Sequence, residues 1–151
     1  ISFVVCDTLS TYATLGGTMA RALMWLLAVT NLGFMVWVII DPYTPAEFVG
    51  LMPKNEMAGA ELRTMYGGLI GGLGVINLVG ALKPERLNSA VWATGWAFAG
   101  VGIVRSASCI ALAISGWQVV FAVSELVAAA VCFGLLKTGK CTVDDGPTAP
   151  S

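Results

Sequence analysis

Four long apolar runs, at 22–40, about 58–82, about 89–114 and about 117–136, constrain this chain more than any other feature. The shortest holds 19 residues. At about 1.5 Å per residue that length crosses a hydrocarbon layer of about 30 Å as a helix. Lipid offers no partner to backbone N–H and C=O groups, so each run must satisfy its own hydrogen bonds. The expected fold is all-α: an integral membrane four-helix bundle with short loops and an interfacial segment between helices 1 and 2. Composition agrees, since 57% of the residues are hydrophobic and only 11% charged, less than half the charge of an ordinary soluble domain.

The sequence excludes several kinds of chemistry. It has no histidine, which removes His-ligated haem or metal and the commonest general base. Eight Lys and Arg stand against nine Asp and Glu, so no basic stripe is available for nucleic acid. Cys6, Cys109, Cys132 and Cys141 are widely spaced and make no metal or redox motif. Cys109 and Cys132 fall inside apolar runs and read as small hydrophobes. Cys6 and Cys141 flank the hydrophobic region, where free thiols are expected ahead of a disulfide.

Residues 1–20 mix apolar residues with Ser, Thr and Gly around the one charge Asp7. They read as an irregular, peripheral segment. No basic stretch opens the chain, which begins on Ile1, so a processed or trimmed chain is expected rather than a signal peptide. The division is therefore 1–21 as an N-terminal peripheral segment, 22–136 as the transmembrane domain and 137–151 as a polar tail. Asp41-Pro42 stops the first run, Lys83-Pro84-Glu85-Arg86 separates the second from the third, and Ser115-Gly116 precedes the fourth. Residues 46–52, bracketed by prolines, read as a short helix at the interface. Arg21, Lys83, Arg86, Lys137 and Lys140 would share one side, facing Lys54 and Arg63 on the other. By the positive-inside rule both termini are expected on the cytoplasmic side, or on the stromal or matrix side of an organelle such as a plastid with its thylakoids.

Charges inside apolar runs cost about 2.5–3.5 kcal/mol each at a helix centre unless paired. Glu61, Arg63, Arg105 and Glu125 are the candidates. With helices 3 and 4 turning near Ser115, Arg105 and Glu125 fall about 15 Å deep at one level, which predicts an ion pair close to the midplane. Asn55 is the expected N-cap of helix 2, placing Glu61 and Arg63 in its first turns. All four charges could then join in one neutral cluster, with Tyr66 one turn below Arg63 to donate a hydrogen bond. A structural fastener is the first reading of this cluster, and a proton, ion or ligand site the second.

Gly67, Gly68, Gly71 and Gly72 supply overlapping G-x-x-x-G spacings, the signature of close helix packing in lipid. Helix 3 has a similar small-residue surface, from Ala93 and Gly95 to Gly100 and Gly102. Asn31 and Asn77 are expected to bond between helices. Trp25, Trp37, Trp92 and Trp117 lie toward helix ends as interfacial anchors, whereas Trp96 is deeper and expected to pack.

The stretch E-L-R-T-M-Y-G-G at 61–68, with Arg105 in a small-residue helix and Glu125-Leu126 in the last one, resembles the bacterial four-helix membrane family called domain of unknown function 4345. Asp41-Pro42 extends the likeness, which covers about 22–136. The resemblance implies a compact four-helix membrane fold with Glu61, Arg63, Tyr66, Arg105 and Glu125 among its characteristic polar positions, and no known activity. With no catalytic constellation, the expected role is non-enzymatic: a small subunit packing against other membrane-protein subunits and lipid, in a photosynthetic (photosystem-type) or respiratory assembly. Pigment or lipid at the helix surface suits such a role, although the E-x-x-H-x-R type of pigment motif is missing. The alternative is an oligomeric transporter or proton-coupled carrier working through the Glu/Arg cluster. An enzyme acting on lipid or quinone has least support, because paired active-site cysteines are lacking.

Overall fold

The structure, a computed structural model, describes residues 2–48, 50–51, 55–114 and 116–137, with side chains from Gly17 onward. Helix α1 spans Ser2–Ile40 and α2 Tyr43–Phe48; the second long helix comprises α3 at Glu56–Leu62, a π-helical stretch at Arg63–Ile70 and α4 at Gly71–Leu82. Helices α5 at Pro84–Ala111 and α6 at Trp117–Lys137 complete the described residues. Four segments are long and apolar enough to cross a membrane: Gly17–Ile40, Glu56–Leu82, Pro84–Ala111 and Trp117–Lys137. The protein is thus an all-α integral membrane bundle.

The chain before Arg21 departs from the sequence reading. It is helical from Ser2 and continuous with the first span. No proline interrupts 2–20, and scattered Ser and Thr cost a helix only a few tenths of a kcal/mol each, so nothing local stops it. Its 39 residues make a rod of about 58 Å. The hydrocarbon core is about half that thick, so the helix is longer than one crossing requires.

The connections follow from capping. Asp41 ends α1 and starts α2: its Oδ1 accepts the N–H groups of Tyr43 and Thr44 at 3.0 and 3.3 Å, and its Oδ2 accepts the Thr44 hydroxyl. These bonds hold the Asp41 carboxyl below its ordinary range, the Thr44 hydroxyl first and the Tyr43 N–H second. The short interfacial helix begins three residues earlier than its apolar stretch suggested and stops before Gly50, whose φ of 82° ends the helix in the left-handed region. Phe48 at its end meets Trp117 and Phe121 of α6, each with ring centroids 6.2 Å away. Asn55 caps α3 as expected, accepting the Ala58 N–H at 2.9 Å. Pro84 opens α5 from its first turn, where a missing N–H costs nothing.

All four spans converge at the end marked by the Lys83–Pro84 connection. Ala20 and Met24 of α1, Ala81 of α4, Val91 of α5 and Cys132 of α6 form one buried cluster there. Small residues make the approach possible. A Cβ on Gly80 would lie 2.3 Å from that of Ala90, and a Cβ on Gly102 would lie 2.9 Å from a methyl carbon of Leu126. The buried thiols Cys109 and Cys132 are unbridged; Cys141 and the Cys6 side chain lie outside the described residues. Asn77 makes the expected interhelical bond, accepting from the Thr94 hydroxyl with both side chains fully buried. Trp96 packs edge-on against Trp92 and Phe133, yet 57% of it remains exposed.

Candidate functional site

Away from the converged end the bundle opens. The π-helical stretch packs on α1, while α5 packs on α6. Between the two pairs lies a cleft of about 480 Å³. Its walls are apolar side chains such as Leu69, Phe98 and Val101, and four polar residues face it: Asn31, Tyr66, Arg105 and Glu125.

Arg105 and Glu125 form the predicted ion pair. Arg105 Nη2 lies 2.9 Å from Glu125 Oε1, and Nε donates to the same carboxylate at 3.0 and 3.2 Å. The arrangement is the bidentate fork that suits a guanidinium. Arg105 Nη1 also donates to Gln118 Oε1 at 2.7 Å, and the Phe121 ring centroid lies 5.8 Å from Cζ. Arg105 is thereby fixed by three residues of α6.

The pair lies shallower than the hairpin arithmetic suggested. Helix α5 ends at Ala111 and α6 begins only at Trp117, with Ala113 and Gly116 between them at φ values of 49° and 79°. Arg105 is therefore about 9 Å from the end of its helix and Glu125 about 12 Å from the start of α6. Both sit between the interface and the midplane.

The other charges do not join them. Arg63 Nε donates to the Ile39 carbonyl at 3.1 Å, closing the C-terminus of α1 with a positive charge where the helix dipole favours one. Glu61 is exposed on α3 and has neither ion pair nor hydrogen bond among the described residues. Tyr66 lines the cleft but makes no hydrogen bond there among the described residues. Asn31 is only 9% exposed, and its Nδ2 has no partner.

The glycines divide between two faces. Gly67, Gly71 and Gly74 lie against Ile39, Met35 and Leu32 of α1, the close packing their spacing predicts. Around Gly68 and Gly72 nothing lies within 4 Å of where a Cβ would stand.

Two features were missed in the sequence. Gln118 precedes Glu125 by seven residues, one heptad, which puts both on one face of a helix; that spacing is a usable signal. The π-helical stretch coincides with R-T-M-Y-G-G-L-I, and π-helical turns often occur at functional positions.

The sequence model of the family described as Domain of unknown function (DUF4345) matches residues 19–136. The chain belongs to that family. No curated protein and no solved structure matches it.

Proposed function

We propose that this DUF4345 protein is a non-enzymatic integral membrane subunit that seats the outward face of its second span against another membrane protein. One observation carries the reading. Three glycines of that span are spent on α1, whereas Gly68 and Gly72 stand open in line with the exposed Val75 and Val79. A smooth stripe of this kind lets a further helix approach closely where lipid supplies no hydrophobic drive. Arg105 and Glu125 satisfy one another within the chain, which supports a fastening role over carriage of a proton or ion.

The proposal puts both termini on the cytoplasmic, stromal or matrix side; the position of Arg21, Lys83, Arg86 and Lys137 at the converged end, with Arg63 at the other, supports that orientation by the positive-inside rule. Photosynthetic and respiratory membranes, thylakoids included, are the first in which to seek the partner. In mild detergent the native chain should migrate within a larger assembly, and Gly68→Ile/Gly72→Ile should release it as a folded single chain. Migration of the native protein only as a monomer or small homo-oligomer refutes the proposal.

A further inference from the structure

We infer that the cleft between the second span and α5 is a binding site for a neutral, lipophilic molecule carrying a carbonyl oxygen, either an ester of a membrane lipid or a quinone ring. The inference rests on the cleft alone and is independent of the subunit reading, since Gly68 and Gly72 do not line it.

Size and walls define the body of the ligand. About 480 Å³ is within the range of small-molecule sites, and apolar walls with a few convergent polar groups are their usual construction. The polar groups define its head. Asn31 lines the cleft, and its Nδ2 is a buried donor without an acceptor among the described residues, a group that costs free energy while it stays unsatisfied. Arg105 commits Nε to Glu125 and one hydrogen each of Nη1 and Nη2 to Gln118 and Glu125. A guanidinium has five N–H groups, so two hydrogens have no acceptor among the described residues. Tyr66 adds a hydroxyl. Glu125 keeps lone pairs and the Tyr66 hydroxyl can donate or accept, but among the described residues the buried unpartnered atom of the cleft residues is a donor, as are the two hydrogens of Arg105, so the group that would complete the site is an acceptor.

Charge makes that acceptor neutral. Glu125 already cancels Arg105, so an anionic head would bring an uncompensated charge into an apolar setting, and a cation would meet guanidinium and amide hydrogens. A carbonyl oxygen on an apolar body meets both conditions.

The full chain, delipidated in detergent, would be titrated with three probes and read by native mass spectrometry and by the shift in Tm: a decyl-substituted benzoquinone, a short-chain diacylglycerol, and decylbenzene as the carbonyl-free control. At least one carbonyl probe should bind one to one, with decylbenzene at least tenfold weaker. Binding of the quinone alone identifies a ring as the ligand, binding of the diacylglycerol alone identifies an ester, and binding of both leaves the carbonyl as the recognised group. Asn31→Leu should weaken binding at least tenfold without lowering the Tm of the ligand-free protein, because it removes an unpartnered amide. Val101→Trp should abolish binding by filling the cleft. Failure of both carbonyl probes to bind, decylbenzene binding as tightly as they do, or Asn31→Leu binding unchanged in a folded protein would overturn the assignment.

Discussion

Separating Arg105 from Glu125 tests how the α5–α6 hairpin is held. Their side chains are 27% and 15% exposed and meet through three N–H···O contacts of 2.9–3.2 Å. Removing one member of a fully buried pair costs about 3–5 kcal/mol. Partial exposure and a position short of the midplane reduce that figure for both, and in Glu125→Leu the Gln118 bond to Arg105 remains, so Glu125→Leu and Arg105→Met should each cost about 2–3 kcal/mol. Replacing both by apolar side chains leaves no orphaned charge, and the double variant should stay within about 1 kcal/mol of the native protein. The coupling energy is then at least about 3 kcal/mol, more than a hundredfold in the unfolding equilibrium, since about 1.4 kcal/mol is tenfold. Reversible SDS titration in mixed micelles, followed by tryptophan fluorescence, measures all four corners of this cycle. Single costs that add to the double cost within about 0.5 kcal/mol would refute the pairing argument.

Glycine substitutions should split by face. Gly80→Ala drives a methyl toward Ala90, which has no flexible end to yield, and should cost about 1–3 kcal/mol; Gly72→Ala meets open space and should be neutral or stabilise by up to about 1 kcal/mol through helix propensity, both read in the same titration. Thr94→Val deprives Asn77 Oδ1 of its donor and should cost about 1 kcal/mol, with Thr94→Ser recovering most of it. Because the native carboxyl of Asp41 titrates below its ordinary range, its contribution to stability is complete above the unfolded value of about 4 and lost as pH falls through the lower native value. The stability gap between native protein and Asp41→Asn, measured from pH 6 downward, should therefore shrink in acid, and a gap that widens would reverse the assignment.

Much of the architecture is legible in the sequence because run length and loop chemistry act locally. Nineteen apolar residues ending at Asp41-Pro42 specify a span and its stop with no tertiary information. The Arg105–Glu125 pair is legible for a related reason: in an antiparallel hairpin, distance from the turn fixes level. What fails is the length of the turn, since an alanine at φ 49° occupies a left-handed conformation that its residue type does not announce. The partner of Arg63 is hidden too, because a backbone carbonyl belongs to every residue, and only the approach of α1 selects that of Ile39. Nor does R-T-M-Y-G-G-L-I differ in pattern from ordinary helix, so its wider winding is set by packing.

The opening of the bundle at one end has a consequence for exchange with the surrounding lipid. Asn31 lies about 13 Å and Arg105 about 9 Å from the ends of their helices at the divergent side, while the converged side is sealed by Ala20, Met24 and Val91. The polar groups of the cleft therefore lie on the side of the 41–55 connection, while its apolar walls at Leu73 and Ala97 run on toward the converged end. A ligand of the inferred kind would lie with its head toward that connection and its tail toward the converged end. A lipid of the adjoining leaflet already has that polarity, whereas one from the opposite leaflet would have to turn over first.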